Sequence, residues 1–332
     1  NGHLHILQVR HLTKHFPVGT LFSRRSVHAL EDVSFDIGKG KVVALVGESG
    51  SGKSTTARLI ARLIPATSGE IIFKGQDVLK SEPRKASLRY RSQVQMVFQD
   101  PFGSLNPVHT IGHHLERPLL IHKKVSGRGE LRDRVHELLA SVGLNPPEDF
   151  ASKYPHQLSG GQRQRVAFAR ALAVDPELML ADEPISMLDV SIRIGILNLM
   201  ERLKEERGIS YLYITHDIAS ARYIGDEVNV MYAGRMVEGG DSEAVITRPA
   251  HPYTRLLLSA VPDPHAGLRK RGVEAKGEVP SLIDPPPGCP FAPRCPHVME
   301  LVEPGHWVRC HLYGPGRDVE VDSSRPVSSS RA

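Results

Sequence analysis

The chain has 332 residues, enough for roughly two domains or one domain with an extension, and its 40% hydrophobic and 24% charged content is that of a globular protein with a real core. The net charge of +5 arises from 42 basic and 37 acidic residues whose signs are interleaved, so it gives no reason to expect a nucleic-acid partner. Three cysteines, all beyond residue 288, exclude a disulfide-stapled secreted scaffold, and no run of roughly 18 apolar residues offers a membrane span.

The opening residues, "NGHLHILQVRHLTKHF", lack the apolar centre of a signal peptide, so the expectation is a cytosolic protein or one held on the cytosolic face of a membrane by a partner. Within them "LHILQVRHLTKHF" alternates like a strand, and "HALEDVSFDIGKGKVVALVG" reads as two further strands around the turn Gly38-Lys39-Gly40. "SGKSTTARLIARLI" predicts a helix ended by Pro65 and Gly69, followed by short strands in "GEIIFKGQDV" and "QVQMVFQ". Residues 100–177 carry mostly helical patterns, such as "RGELRDRVHELLASVGL". Buried strands then return in "ELMLAD" and "ISYLYIT" around the helix "VSIRIGILNLMERLKEERG". This order predicts a parallel α/β core interrupted by a helical insertion. "EVNVMYAGRMVEGG" reads as a hairpin turning at Ala233-Gly234. From about 261 the composition shifts, with seven prolines in 280–296 and a tail expected to be disordered.

Three stretches carry chemistry. "GESGSGKS", Gly47 to Ser54, has the G-x-x-x-x-G-K-[ST] spacing, follows an apolar strand and opens a helix. Its N–H groups would wrap phosphates, Lys53 would meet the β- and γ-phosphates, and Ser54 would bind Mg²⁺. "LMLADEP" ends a strand in two carboxylates: Asp182 reads as the acid of the Mg²⁺ shell and Glu183 as the group that orients or deprotonates water. "YLYITHD" ends a second strand in His216, a candidate donor to the γ-phosphate. In "LSGGQRQRVAFARAL" the S-x-x-Q spacing of Ser159 and Gln162 predicts a capping box, with Gly160 and Gly161 as the first helical residues. Glycine is a poor helix former there, at up to ~1 kcal/mol each. Two consecutive exposed N–H groups form an anion site, which a chain already owning a phosphate loop would need only for another molecule's nucleotide. The alternative is a helix cap whose glycines allow close packing.

These stretches together resemble the ATP-binding subunit of an ABC transporter: "GESGSGKS" is similar to the Walker A loop, "LMLADE" to Walker B, "LSGGQ" to the family signature, "FQDP" to the Q-loop at Gln99, "SMLD" to the D-loop from Ser186 to Asp189, and "ITHD" to the switch histidine. "MVFQDPFGSLNP", "HPYTRLLLSAVP" and the Cys/Pro-rich "GCPFAPRCPHVMELVEPGHWVRCH" resemble the oligopeptide/dipeptide subgroup. The resemblance implies a P-loop α/β cassette with a RecA-like parallel-sheet core, an N-terminal antiparallel β part and a helical subdomain over about 100–177. Together these form a nucleotide-binding domain over 1–260, followed by a Pro/Cys-rich extension over 261–332. It implies ATP contacts along Gly47, Glu48, Ser49, Gly50, Ser51, Gly52, Lys53, Ser54 and Thr55, and Mg²⁺ at Ser54, Gln99 and Asp182. Glu183 and His216 would be catalytic, and Phe16 would stack on adenine, against the alternative of a buried core Phe. Ser159, Gly160, Gly161, Gln162 and Asp189 would act across a pair of cassettes. The implied partners are two permease subunits, a second cassette (a distinct homologue or this chain itself) and an extracytoplasmic solute-binding protein, with no nucleic acid, on the cytoplasmic face of the cell membrane. The rival expectation is an ABC ATPase of DNA repair or translation, although no sustained heptads and no second cassette are present. Many subgroup members carry four cysteines here, and some bind a 4Fe–4S cluster through them. This chain has Cys289, Cys295 and Cys310, so a cluster would need His297, His306 or His311 as substitute; the expectation is three free thiols in a proline-braced loop.

Overall fold

The computed structural model describes residues 5–19, 25–83, 85–100, 103–260, 280–285, 289–291, 294–295 and the backbone of 306–308. In chain order the elements are β1 (His5–Pro17), β2 (Ser26–Gly38), β3 (Val42–Val46), α1 (Lys53–Ile60), β4 (Ser68–Phe73), β5 (Gln76–Asp77), α2 (Val78–Ser81), α3 (Leu88–Gln93) and β6 (Val94–Val97). The helical stretch follows as α4 (Ile111–Ile121), α5 (Arg128–Ser141), α6 (Pro147–Ser152) and α7 (Gly160–Leu172), with a 3₁₀ turn at Pro155–Gln157. The chain then returns to β7 (Leu178–Asp182), α8 (Val190–Arg207), β8 (Ser210–Thr215), α9 (Ile218–Ile224), β9 (Glu227–Tyr232), β10 (Arg235–Asp241), α10 (Ser242–Thr247), α11 (Pro252–Ser259) and β11 (His306–Val308).

Two sheets form. The first is antiparallel, in the order β2-β1-β4-β5; the second is mixed, in the order β11-β10-β9-β3-β8-β7-β6, with β9, β3, β8, β7 and β6 parallel to their neighbours in that series. Every residue of β3, β7 and β8 is buried, as a parallel strand covered on both faces requires. Their alternation divides the core. Val42, Ala44 and Val46 of β3, with Met179, Ala181, Tyr211 and Tyr213, face a cluster that includes the helices α4, α5 and α7. Val43 and Leu45, with Leu178, Leu180, Leu212 and Ile214, face α1 and the antiparallel sheet. The α/β architecture with an antiparallel N-terminal part matches the expectation.

One boundary differs. The apolar pattern carries α1 on towards Pro65, yet the helix ends at Ile60. Arg62 turns into the left-handed region (φ 57), its N–H donates to Leu59 O (3.0 Å) and the Leu63 N–H donates to Arg58 O (2.9 Å). This is a Schellman stop made without glycine, helped by the Arg62 guanidinium donating to Glu82 O at 2.7 Å.

Candidate functional site

A cavity of about 680 Å³ opens over the C-terminal end of β3 and the start of α1. Its walls include Glu48, Ser49, Gly50, Gly52, Lys53, Ser54 and Thr55, with Gln99, Glu183 and His216 from three other connections. β3 delivers the loop because its five apolar residues lock it between β8 and β9. Gly52 caps α1 at φ 103, where a Cβ would meet Leu30 Cδ2 at 2.6 Å and Ala29 O at 2.8 Å; no larger residue fits. Lys53 is 5% exposed, and its Nζ donates to the carbonyls of Gly47 (2.7 Å) and Glu48 (2.9 Å). Burial lowers its pKa from the usual lysine value, against the pull of Glu183, Asp182 and Glu48. A buried cation poised this way gains from an anion in the cavity.

Two neighbouring strand ends supply the carboxylates. The Ser54 hydroxyl donates to Asp182 Oδ1 at 2.9 Å. Burial pushes the Asp182 carboxyl above the usual range, with the adjacent Glu183 charge adding to it, despite the hydrogen bond from Ser54. A hydroxyl and a carboxylate that burial discourages from ionising form a hard-oxygen donor set of the kind that suits Mg²⁺. Glu183 follows β7 in a left-handed conformation (φ 50), and its N–H donates to Ile214 O at 2.9 Å. Its carboxylate meets His216 Nδ1 at 2.9 Å, just past the end of β8. The five residues Lys53, Ser54, Asp182, Glu183 and His216 are thus brought together as the motifs imply. Gln99 joins them as an exposed wall residue.

The stretch from Ser159 lies elsewhere. Ser159 caps α7, its hydroxyl accepting from the Gln162 N–H (3.2 Å) while Gln162 Oε1 accepts from the Ser159 N–H (3.0 Å), so the capping box is complete. Ser159, Gly160, Gly161 and Gln162 do not line the cavity described above. The two glycines differ. A Cβ on Gly161 would come within 2.5 Å of Ile192 Cγ2, whereas one on Gly160 would make only an ordinary contact with Leu188 at 3.4 Å. Close packing against α8 therefore accounts for Gly161 but not for Gly160. Asp189 caps α8 by backbone alone and is exposed beside Met187.

Phe16, 37% exposed near the end of β1 with the Lys14 ammonium 4.7 Å from its ring centre, is not among the cavity walls. It is not a core residue. Cys289 and Cys295 are free thiols packed partly against the main core, and neither belongs to a three-ligand cluster among the described residues. Cys310 and His297 lie outside the described residues, as do His311 and the side chain of His306. Sequence reasoning missed the walls supplied by Ala29, Leu257, Ala260 and Leu282, and the Tyr253 hydroxyl, which accepts from the Glu48 N–H at 2.8 Å. Tyr253, Leu257 and Ala260 all lie in "HPYTRLLLSAVP", but one hydroxyl and two apolar residues in an amphipathic helix give no local signal of such contacts.

A family model described as "ABC transporter" matches residues 30–186, and one described as "Oligopeptide/dipeptide transporter, C-terminal region" matches 237–301. The chain is 46% identical to the oligopeptide transport ATP-binding protein AppF of Bacillus subtilis, over 93% of this chain and 97% of that one. It is 47% identical to the dipeptide transport ATP-binding protein DppF of Escherichia coli, over 87% and 86%. Among solved structures it is similar to cbiO1 of Clostridium perfringens, part of the ABC transporter complex cbiONQ (29% identity, 74% of this chain and 91% of that one, TM-score 0.63). It is also similar to an ATP-binding cassette in a dimeric post-hydrolysis state bound to ADP and Pi (33% identity, 71% and 98%, TM-score 0.62).

Proposed function

The chain belongs to the ABC transporter family, with the C-terminal region of its oligopeptide/dipeptide branch, and from that membership we propose that the cavity over β3 and α1 is its ATP site. The protein is the ATP-hydrolysing subunit of an importer that takes up oligopeptides, dipeptides or a related solute through separate permease subunits. The relatives described above are named as transport subunits, which sets aside the reading as a repair or translation ATPase. The observation that carries the site is the convergence of Lys53, the Ser54–Asp182 pair and the Glu183–His216 pair on one cavity.

In this reading Lys53 binds the β- and γ-phosphates, and the N–H groups from Gly47 to Thr55 wrap them. Ser54 and Asp182, with Gln99, would hold Mg²⁺, which when bound would supply charge to neutralise the phosphates. Glu183, its carboxylate aimed by His216, orients the attacking water and takes its proton at the carboxylate oxygen. Phe16 contributes a stacking face for adenine. Ser159 to Gln162 and Asp189 serve the nucleotide of a second cassette, either a distinct homologue or another copy, so hydrolysis opens the pair and drives the permeases. Two permeases hold the subunit on the cytoplasmic face of the membrane, and an extracytoplasmic binding protein supplies the solute; no helix among the described residues is long and apolar enough to cross a bilayer. The three cysteines do not suffice for a cluster held by thiolates alone.

Glu183→Gln tests the assignment. It keeps MgATP binding, because Lys53 and Ser54 are untouched, and drops steady-state ATPase below a tenth of wild type. Turnover above that level in the assembled transporter would exclude Glu183 as the residue that activates water.

A further inference from the structure

The phosphate loop contains a carboxylate that its spacing does not call for. Glu48 follows Gly47 and lines the cavity, where its charge would repel a polyphosphate. It is answered from 246 residues further along the chain. The Arg294 guanidinium makes a two-pronged pair with Glu48, Nη1 to Oε2 at 3.0 Å and Nη2 to Oε1 at 3.1 Å, and Nη1 also lies 3.4 Å from the Tyr232 hydroxyl. Arg294 is only 6% exposed at the side chain. Its guanidinium sits 5.7 Å from the Tyr232 ring centre and 5.8 Å from that of Phe291, which is itself 1% exposed against Tyr232, Tyr253 and His251. Glu48 is thereby held at three points: its carboxylate by Arg294, its N–H by the Tyr253 hydroxyl and its carbonyl by Lys53.

A second piece of the same C-terminal region reaches the cavity independently. The His28 N–H donates to Leu282 O (2.8 Å) and the Asp284 N–H to Ser26 O (3.1 Å), which lays residues 282–284 along β2 and places Leu282 in the cavity wall. Residues beyond 280 therefore meet the cavity twice, Leu282 as part of its wall and Arg294 through the wall residue Glu48.

We propose that Arg294 is a positioning residue of the nucleotide site: it neutralises Glu48 and fixes its side chain, so that the C-terminal region completes the phosphate loop. The inference rests on the reading of the cavity as the ATP site. A two-pronged arginine is suited to this task because its fork matches a carboxylate and its charge persists at every physiological pH.

The test measures MgATP affinity of the full chain together with KM and kcat of the assembled transporter. Arg294→Gln leaves the Glu48 charge unanswered and weakens MgATP binding on the order of tenfold, in KM far more than in kcat. Adding Glu48→Gln to it recovers most of the loss, because the repelling charge is gone. Arg294→Lys, which keeps charge but loses the fork, falls between wild type and Arg294→Gln, and it serves as the readout should Arg294→Gln fail to fold. Unchanged KM in Arg294→Gln overturns the proposal. So does a loss that Glu48→Gln does not relieve, or an Arg294→Lys as impaired as Arg294→Gln, since either marks a merely structural arginine. Absence of MgATP binding in the wild-type chain would instead overturn the ATP reading itself, before any variant is compared.

Discussion

Glu183 stands where β7 stops, and its left-handed backbone, worth on the order of 1 kcal/mol of strain, turns the carboxylate off the strand axis towards His216. The motif spacing announced this pair, because each of two apolar strands ends in a polar group. It could not announce Asp226, which no motif includes. That carboxylate accepts from the Val42 N–H (2.8 Å), Lys204 (2.9 Å) and Lys41 (3.2 Å), tying the start of β3 to the start of β9. Burial works to raise its pKa, but these three donors outweigh it and hold the group below the usual aspartate range. A carboxylate depressed in the folded state contributes fully above its unfolded pKa of about 3.9, and that contribution is lost as pH falls through the lower folded value. Asp226→Asn therefore costs about 1–2 kcal/mol at pH 7. The difference from wild type narrows towards pH 3, read as converging urea midpoints; a gap independent of pH would refute the assignment.

At the level of elements, periodicity located the strands and the long helices, while their ends escaped it. α1 stops at a left-handed arginine because Arg62 finds the Glu82 carbonyl, a partner 20 residues away that no local pattern reveals. The capping box at Ser159 was legible because both of its partners lie within one turn. The approach of Ile192 to Gly161 was not, since it depends on how α7 meets α8. The short helix α11, which carries Tyr253 to the Glu48 N–H and Leu257 to the cavity wall, begins on a buried support: Glu238 of β10, fully enclosed, accepts from the N–H groups of Ala250 (2.7 Å) and His251 (2.9 Å). Glu238→Ala leaves both donors without that acceptor and is expected to destabilise the fold by about 3 kcal/mol or more, measured by chemical denaturation. Glu238→Gln, which still offers one carbonyl oxygen, should lose less. Equal losses in the two variants would mean the acceptor role is not what Glu238 contributes.

For the whole molecule, the separation of the capped α7 terminus from the cavity gives the proposed pairing of cassettes a clean handle. Gly160→Asp has room for its Cβ and sets a carboxylate at that terminus. It should leave MgATP binding to the chain's own loop within about twofold of wild type, while abolishing ATP-dependent association with the second cassette. Loss of both together would contradict a role towards another molecule's nucleotide. The sheet order has a consequence in time as well. β3 lies between β8 and β9, so its five consecutive apolar residues have neither hydrogen-bonded neighbour when they leave the ribosome. The Asp226 carboxylate that clamps its first residue follows 184 residues later. At typical elongation rates that delay is roughly 10–40 s, during which the strand that leads into the loop from Gly47 to Ser54 is apolar, unpaired and exposed to wrong partners.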